Sequence, residues 1–293
     1  PFGPTDIANP RLNSSGVYGG LDAITASSSS NYNSAQVTLN RQLAQNLAGQ
    51  LSYTWSHCLD NGSVSSGLEQ FSFPRQYALD PKLDYGNCSF DVRHNLAQNV
   101  SISLPFRGNR LVEGWQFMEI LRASSGIPVN VLEQFDRALL GAPINSDRPS
   151  YSGAPGCNPD RVVNELVTSG QAKYIQWFDP ACYTLQPLGT IGDVRRNTLT
   201  GPRTVELDLA LLKETRITER LHAQFRAEFF NVLNHPIFGV PDSTWATGRN
   251  FGADPMDPSQ DTPLVNVNAG RIQATSTAAV ANRQIQFAVR FVF

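Results

Sequence analysis

Gln284-Ile285-Gln286-Phe287-Ala288-Val289-Arg290-Phe291-Val292-Phe293 closes the chain on an unbroken alternation. Ile285, Phe287, Val289, Phe291 and Phe293 lie on one side; Gln284, Gln286, Ala288 and Arg290 lie on the other. A period of two is a strand with one apolar and one polar face. About ten residues is also the length that crosses a bilayer when a strand is tilted. Taken alone, this segment fits a membrane-barrel strand and the last strand of a soluble sandwich equally well.

The same alternation recurs upstream. Leu221, Ala223, Phe225, Ala227 and Phe229 alternate with His222, Gln224, Arg226 and Glu228. Val205, Leu207, Leu209 and Leu211 alternate with Glu206 and Asp208. Further candidates are Ala35–Gln42, Leu47–His57, Val92–Leu104 and Trp115–Val131, making about seven strands, with Val17–Ser27 a weak eighth. The connections alternate between short (Leu43–Asn46, Pro105–Gly114, Thr215–Arg220) and long (Leu59–Phe90, Glu133–Pro202, Asn231–Asn282). Structureless loops of that length are uncommon within a compact soluble domain. Short periplasmic turns and long extracellular loops are instead the pattern of outer-membrane barrels. The expected fold is therefore all-β: an antiparallel transmembrane barrel with long extracellular loops. Parity places the C-terminus on the periplasmic side and residues 1–32 at the end of an extracellular loop, with 33–293 as barrel.

Composition excludes several alternatives. A net charge of −2 and a pI near 6.1 leave no electrostatic footprint for nucleic acid. No run of about 18 apolar residues is present, so no transmembrane helix is available. No glycine-rich phosphate loop occurs, and no cofactor is expected. The chain begins at Pro1 without an initiator methionine or signal peptide. Single-chain barrels usually have an even number of strands, at least about eight. Both points lead to the expectation that this is the C-terminal piece of a larger barrel.

Several phrases together resemble the barrel domain of Oar-like TonB-dependent transporters. They are Tyr32-Asn33-Ser34-Ala35-Gln36-Val37-Thr38-Leu39, Leu51-Ser52-Tyr53-Thr54-Trp55-Ser56-His57, Phe90-Asp91-Val92-Arg93-His94, Leu104-Pro105-Phe106, Gly114-Trp115-Gln116 and Ser125-Gly126-Ile127-Pro128. The C-terminal third adds Arg196-Asn197, Gly201-Pro202, Arg226 through Pro236, and Arg283-Gln284-Ile285-Gln286-Phe287. The resemblance implies a 22-stranded barrel, part of which this chain is expected to form, together with an N-terminal plug, a TonB-contacting segment and an accessory β-domain, which are expected to lie outside it. It implies an importer or binder of a bulky extracellular ligand, a glycan or a peptide, with TonB and the plug as partners. It also implies that the terminal aromatics, Phe291 and Phe293, are read by the barrel-assembly machinery. A passive porin or surface adhesin, and a soluble carbohydrate-binding sandwich, are the competing functions.

Site residues follow from position. Cys58 and Cys88 flank the first long loop, while Cys157 and Cys182 lie within the second. Within-loop pairing would close roughly 25 to 30 residues and contribute about 3–4 kcal/mol in the chain-entropy model; free thiols and a zinc site are the alternatives. Ser56, His57 and Asp60 lack a nucleophile elbow, and Asp91, Arg93 and His94 suggest a rim hydrogen-bond network, so no enzyme is expected. Tyr53, Trp55, Phe229 and Phe230 at outer strand ends, with Trp115, Phe291 and Phe293 at inner ends, suggest two aromatic girdles against outer-membrane lipid. Glu206, Asp208, Arg226 and Glu228 form a candidate lumenal polar patch, with Asp208 and Arg226 within pairing reach if their hairpin is tight.

Overall fold

The computed structural model describes residues 28–43, 46–63, 76–77, 80–139, 147–158, 160–169, 172–252, 257–272 and 282–293. The weak candidate Val17–Ser27 and most of residues 1–32 lie outside them.

Seven long strands form one antiparallel sheet in chain order: β1 (Ser30–Leu43), β2 (Leu47–Asp60), β3 (His94–Ser103), β4 (Trp115–Ser124), β5 (Thr204–Arg216), β6 (His222–Phe230) and β7 (Gln284–Val292). Every neighbour is sequential, an up-and-down meander. Among the described residues β1 and β7 do not pair with each other, so the sheet is an open arc.

The registers settle which residues share a face. Ile285 lies opposite Phe229, Phe287 opposite Ala227 and Val289 opposite Phe225. Across β5 the same face carries Leu209 and Leu211, and across β4 it carries Phe117 and Leu121. It continues through Leu96, Val100 and Ile102 of β3 to Leu51, Tyr53 and Trp55 of β2 and Val37 and Leu39 of β1. Seven strands thus build one continuous apolar band. Its polar exceptions near mid-strand are Gln98 and Glu119, whose side chains meet at 3.4 Å. The opposite face is mainly polar, with Gln36 and Thr38, Gln50 and Ser52, Asn99 and Ser101, Glu206 and Asp208, Gln224 and Arg226, Gln286 and Arg290, interrupted by an apolar group of Met118, Ile120, Ala210 and Leu212 on β4 and β5. Apolar out and polar in is the arrangement that lipid outside and water inside demand.

The turns at one end are tight. Ile217 donates its N–H to Leu221 O at 2.9 Å, closing β5 onto β6. Before β4, Gly114 adopts φ +75° and packs so closely on the Glu214 carbonyl that a Cβ there would collide with it. Trp115 anchors this end: its Nε1 donates to Leu111 O at 3.0 Å, and Lys213 Nζ lies 5.6 Å from its ring centre. Lys213 also donates to the Arg110 carbonyl at 2.9 Å, so its charge is drawn to the rim while its stem crosses the apolar face.

Two sequence expectations change. The strand read as Trp115–Val131 leaves the sheet after Ser124, because Gly126 passes against the backbone of Gly201 and Ile127 O accepts the Gly201 N–H at 2.8 Å. Pro128–Val129 then pairs with Leu199–Thr200 in a separate ladder. Phe230 pairs with Gln284, so its side chain falls on the polar face and does not belong to the girdle.

The long loops are not structureless. Short strands Leu132–Glu133, Thr244–Asn250 and Thr262–Val265 form one small sheet, and Glu165–Ser169, Ala172–Gln176 and Arg271–Ile272 another. Among these segments lies a buried core of Val129, Val131, Phe178, Cys182, Tyr183, Val194, Leu199, Trp245, Ala246 and Ala269. Every member lies between β4 and β5 or between β6 and β7. These two loops fold together into a cap with a hydrophobic core of its own.

Candidate functional site

The polar face of the arc and the cap above it define the candidate site. On the face, Arg122 of β4 reaches two acids of the neighbouring β5, 3.5 Å from Glu206 and 3.9 Å from Asp208. Glu206 is buried while Arg122 is largely exposed, so the attraction is strongly discounted by water. Arg226 pairs with Glu228 on its own strand at 3.4 Å. The expected Asp208–Arg226 pair does not form. The register sets Arg226 opposite Leu212, and Asp208 instead accepts the Asn231 N–H at 2.9 Å, where β6 ends. Arg122, read only as part of a strand, is the member that periodicity alone could have placed on this face. Gln224, Arg226, Glu228, Gln286, Ala288 and Arg290 line a cleft of about 170 Å³ against β7. A broader cleft of about 860 Å³ lies at the tight-turn end among Arg110, Glu113, Glu214, Arg216, Glu219 and His222.

The cap is tied down by three buried arginines, each bridging distant parts of the chain. Arg196 in the second loop donates to Asp60 Oδ1 at 2.7 Å, to the Asp84 carbonyl at 3.3 Å and to Ser63 Oγ at 2.8 Å. Arg148 reaches Asp84 Oδ1 at 2.5 Å and the Leu83 carbonyl at 3.0 Å in the first loop, and Val194 O at 2.9 Å in its own. Arg137 spans to the third loop, where Asp261 Oδ2 lies 2.9 Å away, and Arg249 joins the same carboxylate. Burial works against ionised Asp261, but its two arginines prevail and hold its carboxyl below the usual range. Burial likewise pulls Arg148 down, and Asp84 opposes it. Planar guanidinium groups suit this work, because each fork satisfies several carbonyls and a carboxylate at once. No spacing in the sequence announces these ties. The large aromatics Trp177, Phe178, Tyr183 and Trp245, stranded in otherwise polar loops, were the available signal that the loops fold.

Both disulfides form, Cys58 near the end of β2 to Cys88 in the first loop and Cys157 to Cys182 within the second, with Cα separations of 5.3 Å and 5.0 Å. Cys157, Asp179 and Cys182 lie close enough to suggest a metal cluster. Their sulfurs are bonded to each other, however, and Asp179 caps a short turn by accepting the Ala181 N–H at 2.9 Å. The Ser56–His57–Asp60 grouping dissolves on inspection. Ser56 Oγ donates to Val92 O at 2.9 Å, Asp60 is held by Arg196, and His57 lies 3.5 Å from Asp91. Asp91 also pairs with Arg93 at 3.1 Å, and His94 shares a 2.8 Å hydrogen bond with Tyr53. These contacts make the rim network. His222 meets Glu214 at 3.7 Å on the polar face, far from His235, whose N–H is held by Asn231 Oδ1 at 3.1 Å.

Tyr53 and Trp55 point out from the apolar face at the loop end of β2, while Phe291 and Phe293 do so at the opposite end of the sheet. A meander with lipid-compatible aromatics at both margins, a wet inner face and a loop cap at one end is an outer-membrane β-barrel. The chain belongs to the outer membrane beta barrel domain family, whose model matches residues 3–286. Its location is the bacterial outer membrane. Comparison with curated proteins and with solved structures finds no match.

Proposed function

We propose that this chain is the C-terminal part of a TonB-dependent receptor of the Oar-like kind, which binds and imports a bulky extracellular ligand such as a glycan or a peptide. The observation that carries the reading is the charged inner wall. Arg122, Glu206 and Asp208 on β4 and β5, with Arg226, Glu228 and Arg290 on β6 and β7, give the lumen paired charges of both signs. Such a wall suits a folded plug held by many weak polar contacts that water can exchange, so that pulling releases it at low cost. The open arc supports a barrel wider than these seven strands, and the sequence phrases of the C-terminal third support the Oar-like assignment. The cap supplies a preorganised outer surface on which a ligand can dock before entry.

Planar-bilayer conductance of the full-length protein tests this. A plugged receptor is silent until the plug is unfolded with urea, and it binds the periplasmic domain of TonB in solution. Steady open-channel conductance from the start, with no TonB binding, would refute import and leave the passive-porin reading.

A further inference from the structure

Inside the cap, three polar side chains of the second loop are buried without the partners that burial requires. Glu133 is fully buried, and neither of its carboxylate oxygens has a hydrogen-bond partner. Gln186 is fully buried with both amide atoms unpartnered. Asp147 is fully buried; its Oδ2 accepts the Ala138 N–H at 2.8 Å, and its Oδ1 has no partner. The backbone brings them together, since the Glu133 N–H donates to the Asp147 carbonyl at 2.8 Å. Arg137 Nε donates to the Gln186 carbonyl at 2.5 Å, and the Gln186 amide faces the Glu133 carboxyl.

Arg137 does not neutralise this group. Its remaining nitrogens are committed to Asp261 at 2.9 Å and to the Pro258 carbonyl at 3.3 Å. Burial, with Asp147 alongside, raises the Glu133 carboxyl to about 8, against the opposing pull of the Gln186 amide and of Arg137. Burial also raises Asp147 to about 6, with Asp136 adding to the rise and the Ala138 and Arg137 N–H groups and Arg148 opposing it. Leaving such groups unsatisfied in a folded interior is costly, and each instance calls for an explanation.

The donor set supplies one. Two oxygens from Glu133, Oδ1 of Asp147 and Oε1 of Gln186 would make an all-oxygen, hard-ligand set, with a dication holding both acids deprotonated. Oxygen-only ligands select calcium or magnesium over zinc or copper. Magnesium insists on near-ideal octahedral geometry, which the narrow bite of a bidentate carboxylate does not fit. Calcium accepts irregular shells and a bidentate carboxylate, completing its shell with backbone carbonyls or water. We propose that Glu133, Asp147 and Gln186 form a calcium site that locks the second loop into the cap. The cap faces the medium outside the cell, so a site of the weak extracellular class, about 10⁻⁴–10⁻³ M, suffices.

Trp245 offers an optical reporter, because Ala246 next to it pairs with Glu133 across the small parallel ladder. In full-length protein in detergent, terbium should give tryptophan-sensitised luminescence that calcium displaces and equal magnesium does not. Calcium should also protect the second loop from protease. Glu133→Gln should weaken both effects about ten- to hundredfold or more, and the folded band on unheated gels should persist. Gln186→Met, which removes one oxygen and leaves both carboxylates, should weaken them too and serves if Glu133→Gln fails to fold. Signals are read as the difference between wild type and variant, so that ions held by lipid cancel. A wild type without calcium-displaceable luminescence or protection overturns the site. So does a folded Glu133→Gln or Gln186→Met variant that binds calcium as the wild type does. A Glu133→Gln cap more protease-resistant than wild type in calcium would show instead an acid held neutral.

Discussion

Replacing Val289 with lysine and, separately, Gln286 with lysine tests the face assignment on which the whole reading rests. Val289 lies opposite Phe225 on the apolar side of β7 and is 61% exposed there, a surface that only lipid can cover. It sits within the nine residues of Gln284–Val292. A lysine near the bilayer midplane on the lipid side costs about 2–4 kcal/mol, or roughly 30- to 700-fold in the folding equilibrium at a tenfold change per 1.4 kcal/mol. Gln286, three residues away, lies opposite Glu228 on the other face and lines the cleft with Arg226 and Arg290. A lysine there meets water and one carboxylate, against two arginines, so its effect should stay within about 0.5 kcal/mol, as for an ordinary wet surface. The assay is urea titration of the full-length protein in bilayers, read by the heat-modifiable gel shift. The expected order is a much lower midpoint for Val289→Lys and little change for Gln286→Lys. The reverse order would invert the two faces and end the barrel interpretation.

Deleting Phe293, 95% exposed at the end of the chain, should reduce the assembled fraction in cells more than Gln286→Lys does; equal yields would remove its role in assembly. Arg196→Leu leaves the Asp60 carboxylate buried and unpaired, at a cost of about 3–5 kcal/mol; limited proteolysis of whole cells should then cut the loops while the barrel band survives, and an unchanged digest would show that this tie does not hold the cap. Glu119→Leu on the apolar face should raise the urea midpoint, whereas a fall would mean that the Gln98–Glu119 contact outweighs burial of an apolar side chain in lipid. Non-reducing peptide mapping should link Cys58 to Cys88 and Cys157 to Cys182, and any cross-loop pair would contradict the loop architecture.

The barrel was legible because its physics is periodic. Each strand had to alternate to face lipid and water, so Leu221–Phe229 and Gln284–Phe293 announced their faces without any knowledge of neighbours. Periodicity also overreached. It carried β4 through to Val131, since Gly126 is apolar enough to continue a pattern and only the close approach of Gly201 stops the strand. It placed Phe230 in a girdle by residue type when parity turns it inward. The proposed Asp208–Arg226 pair failed for a different reason. Register depends on where a turn closes, and Leu212, not Asp208, faces Arg226. The cap was illegible because its ladders are mostly two to five residues long and its ties join residues such as Asp60 and Arg196, 136 positions apart. No local signal encodes such a pair.

The two kinds of cross-link divide the work in a way that bears on life at a cell surface. Disulfides join residues of one stretch, Cys58 to Cys88 and Cys157 to Cys182, whereas the arginine ties join different loops. An environmental protease that nicks the chain once between either pair of cysteines therefore frees nothing. The severed ends remain covalently attached, and the ion pairs keep the neighbouring loops in place. Damage of this kind would accumulate silently on old cells, visible only as shorter bands after reduction.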